Sequence, residues 1–414
     1  MAITIRSLLL LSTVILFTEA GLLGLINNIF KPSGNSSEEE NSSNDKEWLD
    51  PKQDTDTEII HKAVTVNKLE NGTEVYDLLA VTDMDKDARS GTDWTWRAVT
   101  RKGKLAISED KKNVSITWEA GSDRNLTTQL NAKGRGMELS DLSEFNGRLI
   151  SPDDKTGMLY EIRDNKAIPW LFLNSGPGDT TKGMKAEWTT IKGNYLYVGG
   201  HGKVRKIQNF AFPSPLNIFL ESKKNRLRFY PTLYKGNLTD LEEFIGDNGT
   251  VLSEDDMWIK IISKRGEVKS VNWKNEYIRV RGAVNITAPG YLIHEAVQWS
   301  AQHRKWFFLP RKESQTIYNE AEDEKKGTNL LIIGNPALKN FKVVRIGKLT
   351  NPERGFSAFE FIPGTKDQLI VALKSEEVDK NPAASYITVF DIDGNILLED
   401  QKLEDQLKFE GIYF

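Results

Sequence analysis

The sequence predicts an all-β fold, and three observations support this. Short apolar or β-branched runs recur along the chain and are bounded by Gly, Asn and Asp, as in VYDLLAVTD, NYLYVGG and FEGIYF. No long segment carries an apolar stripe with a period of 3.6 residues. Turn signals such as SPDDKTG and DIDGN join neighbouring runs. Regularly spaced short strands of this kind are typical of a sandwich, a barrel or a propeller.

Residues 1–20 predict a secretory signal peptide. Arg6 precedes the apolar run SLLLLSTVILF, and Ala20 offers a small residue at the cleavage point. The alternative is a signal anchor continuing through GLLGLINNIF, which would hold the protein in the ER or Golgi lumen. Glu19, Asn27 and Asn28 interrupt that longer stretch, and the first run alone is too short to span a bilayer. We therefore expect a secreted protein without stable membrane insertion.

Residues 21–58 are predicted to form a disordered stem, because the segment is acidic, rich in Ser and Asn and poor in apolar residues. The globular domain is predicted to span 59–414. Within it, residues 204–260 are first basic, then aromatic and interrupted by Pro, and we interpret them as a loop insertion between strands. Eight glycosylation sequons support export: Asn35, Asn41, Asn71, Asn113, Asn125, Asn237, Asn248 and Asn285.

The composition excludes several classes of function. The chain has 414 residues, and its formal net charge of −4 gives no electrostatic reason to expect a nucleic-acid partner. It contains no cysteine, which excludes disulfides, thiolate zinc sites, iron–sulfur clusters and cysteine nucleophiles. None of its four histidines forms a pair at metal-ligand spacing. Any metal is therefore expected to be held by oxygen, which favours calcium or magnesium.

Five oxygen-bearing residues recur at intervals that favour a propeller among the all-β folds. The intervals are 47, 108, 62 and 53 residues, and the longest contains the predicted insertion. One such residue therefore occurs about once per blade, with a period of roughly 40–60 residues. Because blades are arranged radially, one residue from each inner strand can meet its counterparts on the central axis. The five are Ser140, Glu187, Glu295, Ser357 and Glu410.

The segment VTDMDKDAR begins like a calcium-binding loop but is not an EF-hand. Ala88 and Trp94 stand where that loop requires Gly and Glu. Its carboxylates, among them Asp83 and Asp85, stand beside Arg89 at the end of an apolar strand, a pattern suited to a metal–phosphate site. No Walker A motif, no G-x-S-x-G elbow and no H-E-x-x-H motif is present.

Many ordered strings resemble those of the soluble calcium-activated nucleotidases, the apyrases. They include VTDMDKDAR, KGRGMELSDL, FNGRLISPDDKTG, KAEW, LYVGGHGK, PGYLIHEAVQWS, RKWFFLPRKES, GFSAFEFIPGT, LIVALKSEE and KFEGI. The resemblance runs from about Tyr76 to Phe414, apart from the insertion. It implies a five-bladed propeller with calcium in its central tunnel, which hydrolyses nucleoside di- and triphosphates.

The resemblance also implies roles for individual residues. The calcium ligands of the family fall on Ser140, Glu187, Glu295, Ser357 and Glu410. The nucleotide-binding start of the first blade falls on Asp83, Asp85 and Arg89, the acidic turn beside the metal on Asp154, and the LPR motif on Arg311. Arg89 and Arg311 are the candidates for binding phosphate, with Lys185 a weaker one. Glu187 and Asp154, then Asp85, are the candidates for the general base, and the sequence does not choose among them.

Two other functions compete with nucleotide hydrolysis. A calcium-dependent lactonase or esterase would leave the Arg89 and Arg311 pair unexplained. A catalytically silent propeller would bind nucleotide or a host protein through the insertion. Exposed blade edges and the insertion also offer surfaces for a homodimer. His294, next to Glu295 in a strand, is expected to pack in the core rather than act as a base.

Overall fold

The computed structural model describes residues 64–91, 93–203, 205–206, 252–379 and 381–414. Five antiparallel sheets form the blades of a propeller, which confirms the predicted all-β fold and its five blades. The predicted signal peptide, the acidic stem and most of the predicted insertion lie outside the described residues.

The first blade contains both early strands and the last strand of the chain. Its six strands are β1 (Val66–Lys68), β2 (Glu74–Thr82), β3 (Trp96–Ile107), β4 (Val114–Trp118), β5 (Arg124–Thr128) and β24 (Phe409–Tyr413). The second blade comprises β6 (Ser143–Phe145), β7 (Arg148–Pro152), β8 (Met158–Arg163) and β9 (Lys166–Phe172). The third comprises β10 (Trp188–Lys192), β11 (Tyr195–Gly199), β14 (Trp258–Ile262) and β15 (Val268–Asn272).

The remaining two blades are meanders of four consecutive strands. The fourth comprises β16 (Tyr291–Ser300), β17 (Lys305–Ser314), β18 (Leu330–Gly334) and β19 (Phe341–Arg345). The fifth comprises β20 (Arg354–Phe361), β21 (Leu369–Glu376), β22 (Ala384–Asp391) and β23 (Ile396–Lys402). The strands facing the centre are therefore β24, β6, β10, β16 and β20.

The two ends of the domain close the ring together. Strand β24 pairs antiparallel with β2, with Leu79 opposite Tyr413 and Val81 opposite Gly411. A Cβ atom at position 411 would lie 2.7 Å from Val81 Cγ1 and 2.8 Å from the backbone carbon of Asp141, so glycine permits the close approach of two blades. Pairing of the C-terminal strand with the N-terminal sheet makes β24 the inner strand of the first blade and closes the ring of five blades.

Apolar side chains from neighbouring blades fill the spaces between the sheets. Phe307, Phe356 and Phe390 are buried between the fourth and fifth blades. Between the fifth and first blades the core includes Leu78, Val371, Leu373, Ile387 and Ile412. Each fully buried aliphatic or aromatic side chain contributes about 1.5–3 kcal/mol, so blade-to-blade packing fixes the geometry of the axis.

The predicted insertion, at about 204–260, ends close to the start of β14 at Trp258. Ile259, Ile261 and Ile262 of this strand are buried in the third blade. Before it, β12 (Arg205–Lys206) pairs with β13 (Leu252–Ser253), and a 3-10 turn spans Asp255–Met257. Two short helices, α1 (Lys274–Gly282) and α2 (Glu320–Asp323), lie between strands. Helix α1 has nine residues and buries only Tyr277 and Val280. Two buried positions are too few to form an apolar stripe that the sequence would reveal.

Candidate active site

The five residues picked out by their spacing all lie on or just before the inner strands. Ser140 precedes β6, and its backbone N–H donates to Pro152 O at 3.2 Å. Glu187 directly precedes β10, and its N–H donates to Gly199 O at 2.8 Å. Glu295, Ser357 and Glu410 lie within β16, β20 and β24. Each blade therefore contributes one of the five.

Three of these residues occupy β-bulges. The pairing of β16 with β17 passes from His294 to Ala296 and leaves Glu295 out of register. In the same way the register of β20 omits Ser357, and that of β24 omits Glu410. A bulge re-aims the side chain of the extra residue and locally breaks the alternation of a strand. Arg311 is the corresponding unpaired residue of β17, opposite Glu295.

Acidic and basic side chains form a series of contacts, here called the charged ring, which a backbone hydrogen bond closes because Asp154 N–H donates to Glu138 O at 3.0 Å. Lys185 bridges Asp154 and Glu187, and Arg311 bridges Glu295 and Glu410. Lys408 bridges Glu410 to the acids of the first blade, donating at 2.8 Å to Asp83 Oδ2 and at 2.6 Å to Asp85 Oδ2. The members in order of contact are Asp154, Lys185, Glu187, His201, Glu295, Arg311, Glu410, Lys408, Asp83, Asp85, Arg135 and Glu138.

Burial of so many acids shifts their proton affinities. Burial, with Asp154 and Glu295 nearby, raises the pKa of Glu187 to about 8 although Lys185 opposes the shift. Burial likewise raises the pKa of Asp83 to about 6, and that of Glu410 well above its usual range. The charged ring contains seven carboxyl groups and four Lys or Arg side chains, so a bound cation would favour the ionised carboxylates.

Asp85 and Asp154 differ sharply although both belong to the charged ring. Burial would raise the pKa of Asp85, but Lys408, Arg135 and Lys185 together lower it to about 2. Asp154 is 8% exposed and contacts Lys185 through Oδ2, while its Oδ1 is buried without a hydrogen-bond partner in the protein. Burial of a carboxylate oxygen without a hydrogen-bond partner costs free energy. Asp154 Oδ1 is therefore available to accept a hydrogen bond from a ligand or a water.

Ser140 and Ser357 lie beside the ring rather than in it. Ser140 Oγ donates to Ala186 O at 2.6 Å, and Ser357 Oγ donates to Phe409 O at 3.2 Å. Ala186 and Phe409 directly precede Glu187 and Glu410. Each serine therefore links its own blade to the neighbouring blade that carries one of these glutamates. Both hydroxyl oxygens keep lone pairs for a cation.

Arg89 is the predicted residue that the structure keeps apart from the charged ring. Its side chain is exposed, and the guanidinium carbon lies 4.9 Å from the ring centroid of Trp94, whose side chain is 57% exposed. Asp83, Asp85, Asp154, Arg311 and the three glutamates are brought together. His294 packs in the core as expected, 5.4 Å from the rings of both Tyr277 and Phe308, and burial lowers its pKa to about 3.

Sequence reasoning missed several members of the ring. Lys408 stands two residues before Glu410, just before β24, so its closeness to that glutamate could have been predicted from the sequence. Arg135 and Glu138 lie inside the recognised string KGRGMELSDL. His201 was passed over because no second histidine stands near it. The expectation that oxygen would hold any metal stays a prediction, but His201 places a nitrogen among these oxygens, since its Nε2 lies 3.0 Å from Glu187 Oε1 and 3.0 Å from Glu295 Oε1.

Known proteins resemble this chain over most of its length. The sequence profile of the family described as Apyrase matches residues 84–209 and 231–414. A Caenorhabditis elegans protein named apyrase apy-1 is 45% identical over 350 residues, covering 84% of this chain and 87% of that protein.

Two further relatives extend the comparison to a mammal and an insect. Soluble calcium-activated nucleotidase 1 of Rattus norvegicus is 40% identical over 340 residues, covering 82% of this chain and 73% of that protein. An apyrase of Cimex lectularius is 36% identical over 335 residues and covers 81% of each. The resemblance inferred from the sequence motifs is thereby confirmed, and the chain belongs to the apyrase family.

Proposed function

We propose that this protein is a calcium-dependent apyrase that removes the terminal phosphate of nucleoside di- and triphosphates. The observation that carries the proposal is the charged ring, where carboxylates from four of the five blades surround the axis together with cations able to bind phosphate, and the fifth blade adds Ser357 beside the ring. The names of the relatives, apyrase and soluble calcium-activated nucleotidase, support the same activity and the same metal.

The residues at the axis fit a calcium ion. Ser140, Glu187, Glu295, Ser357 and Glu410 supply the hard oxygen donors that calcium prefers. Burial, with carboxylates nearby, raises the pKa values of Glu187 and Glu410, and a bound cation would stabilise their ionised forms. When bound, calcium would polarise the terminal phosphoryl group and neutralise charge as the bond to the leaving oxygen breaks.

Four cations of the ring are placed to bind phosphate oxygens. Arg311 and Lys408 are 6% and 7% exposed, and each contacts several carboxylates, so each can exchange a carboxylate contact for a phosphate one. Lys185 and Arg135 flank Asp154 and Asp85. Arg89, stacked on the exposed Trp94, is better placed to contact the nucleoside than the phosphate at the axis.

Asp154 is the strongest of the three candidate general bases. A water bound to its free Oδ1 would be held by a carboxylate whose other oxygen is fixed by Lys185. Asp85, with a pKa near 2, is a poor proton acceptor at neutral pH. Glu187 contacts both Lys185 and His201, which suits a metal ligand.

Export from the cell is part of the proposal. The four sequon asparagines within the described residues, Asn71, Asn113, Asn125 and Asn285, are all exposed, as glycan attachment requires. Among the described helices none has both the length and the apolar character needed to cross a bilayer. We infer a secreted glycoprotein on these grounds together with the signal-peptide pattern.

The test is phosphate release from ADP, ATP, UDP, GDP and AMP with calcium, with magnesium and with chelator. Calcium-dependent release from the di- and triphosphates but not from AMP is expected, and the substrate ranking then gives the nucleobase preference. Glu187→Gln should abolish release while circular dichroism and thermal unfolding stay close to those of the wild type. No release by folded, calcium-loaded protein would refute the enzyme and favour a nucleotide-binding or protein-binding propeller.

A further inference from the structure

The side chains of Glu187, His201 and Glu295 form a three-donor cluster with one nitrogen. The three donor atoms lie within 4.8 Å of one another, and His201 Nε2 is 3.0 Å from an oxygen of each glutamate. In a four-coordinate site with metal–ligand distances of about 2.0–2.2 Å, tetrahedral geometry separates the donors by about 3.3–3.6 Å. The cluster therefore needs only a small expansion to take an ion.

His201 is fixed in this position by its backbone and its neighbours. It follows β11, and its carbonyl accepts the N–H of His294 at 3.0 Å, one residue from Glu295. Gly200 O accepts from Trp188 Nε1 at 3.1 Å and from Tyr277 Oη at 3.2 Å. A Cβ atom at Gly202, where φ is +68°, would lie 2.4 Å from the Tyr277 ring. The segment is thus held on both sides of His201, which pre-positions the imidazole between two blades.

An imidazole nitrogen changes which metals the axis can hold. Calcium prefers oxygen ligands, whereas zinc, cobalt, nickel and copper bind imidazole readily, and two carboxylates with one imidazole form a common donor set for them. All three donors are largely shielded, with side-chain exposures of 2% for Glu187, 12% for His201 and 9% for Glu295.

We propose that Glu187, His201 and Glu295 form a binding site for a transition-metal dication of the zinc and cobalt class. The site shares Glu187 and Glu295 with the calcium site of the proposed function, on which this inference rests, so the two metals exclude each other. Zinc is then an antagonist of calcium activation in this protein, and His201 determines the metal selectivity.

The experiment uses the purified chain without a polyhistidine tag, stripped of metal, and titrates it with Co²⁺ in the absence of nucleotide. We expect a visible d–d absorption band that saturates at one equivalent and disappears on addition of Zn²⁺. His201→Gln, which replaces the nitrogen with an amide, should weaken Co²⁺ binding by more than about tenfold, since loss of even an outer-shell partner costs about 10–100-fold. Its calcium affinity, measured by calorimetry, should change less than about threefold.

His303→Gln is the matched control, because this second histidine lies in the β16–β17 turn, near Asp367 O at 3.1 Å, and should leave Co²⁺ binding unchanged. Calcium should weaken Co²⁺ binding competitively. Wild-type Co²⁺ affinity and spectrum in His201→Gln, or independent binding of the two metals, would overturn the inference.

Two measurements keep the outcomes separate. If His201→Gln does not fold, NMR of the four histidine Hε1 resonances in the wild type decides, because Zn²⁺ should shift the resonance of His201 and leave that of His303 in place. Calcium-dependent phosphate release without Co²⁺ binding would contradict the transition-metal site and leave the proposed function intact. Co²⁺ binding through His201 without any hydrolysis would contradict the proposed function and leave the transition-metal site intact.

Discussion

Asp154 and Asp85 show how the same residue type acquires opposite properties within one ring. Asp85 is held ionised by three nearby cations, which lower its pKa to about 2, whereas Asp154 retains a buried oxygen without a partner. Asp85, whose carboxylate is surrounded by cations, positions those neighbours. Asp154 has an oxygen without a protein partner, which can bind a water and accept its proton. The contacts of individual residues thus favour Asp154 over Asp85, which the sequence ranked after Asp154 without choosing between them.

Substitution of these two acids should therefore have different kinetic effects. Asp154→Asn removes the proposed base and should lower kcat by about 10²–10⁴-fold. Asp85→Asn keeps that base but releases Lys408 and Arg135, so it should act mainly on KM. Steady-state kinetics on ADP with saturating calcium measures both. Equal loss of kcat in the two variants would show that Asp154 has no special role.

Calcium affinity should rise with pH. The raised pKa of Glu187, about 8, means that this carboxyl is largely protonated at neutral pH when no cation is bound. Calcium binding must displace the proton, so affinity falls as pH decreases, by up to about tenfold per pH unit for one displaced proton. Calorimetry at pH 6, 7 and 8 in buffers of different ionisation enthalpy measures affinity and counts the protons released. A constant affinity over this range would contradict the prediction.

At the scale of elements, the inner strands reach the axis through bulges and close contacts. Gly355 of β20 lies directly against Arg311 of β17, and a Cβ atom there would be 2.4 Å from Arg311 Cγ and 2.6 Å from Arg311 O. Arg311 can turn towards Glu295 and Glu410 because no side chain stands at 355. This contact couples the fourth and fifth blades to the position of a phosphate-binding group.

Gly355→Ala should therefore displace Arg311 and lower kcat/KM for nucleotides by up to about 10²-fold, the scale of loss expected for a misplacement of about 1 Å. Gly282→Ala, at the end of α1, is the matched control, because a Cβ atom there meets no atom within 4 Å. Steady-state kinetics and thermal unfolding of both variants separate a local effect on the site from a general loss of stability. Wild-type kcat/KM in Gly355→Ala would exclude the coupling.

At the scale of the whole molecule, one short strand, β24, closes the ring of five blades. Ile412 of β24 is fully buried between the first and fifth blades, and the same strand carries Glu410 to the axis. Loss of packing at β24 should destabilise the whole propeller, since closure joins residues more than 300 positions apart along the chain.

Ile412→Ala should lower the free energy of unfolding by about 2–5 kcal/mol, the range for truncating a buried aliphatic side chain. Val343→Ala, on the outer strand β19 with 40% exposure, should change it by about 0.5 kcal/mol or less. Urea unfolding followed by tryptophan fluorescence measures both. Equal effects would mean that the closing strand is not part of the cooperative unit.

Much of the fold was readable because inner and middle strands are strongly apolar. Runs such as VYDLLAVTD and NYLYVGG predicted β2 and β11 correctly. Outer strands such as β19 were not predicted, because most of their side chains are exposed and their sequences therefore resemble those of loops. Spacing and family resemblance selected Glu187, Glu295, Glu410 and Arg311, which the structure brings together, whereas the same resemblance also selected Arg89, which lies apart.

The sequence by itself determined the all-β class, the one-per-blade recurrence of oxygen-bearing residues and the likeness to apyrases, because periodicity and motif order are local properties. Only the tertiary structure decided which side chains meet. Bulges at Glu295, Ser357 and Glu410 break the alternation from which strand faces are predicted, and His201 enters the axis from a loop after β11. Contacts across the axis join residues that are distant in the chain, so their chemistry appears only when five blades are packed into a ring.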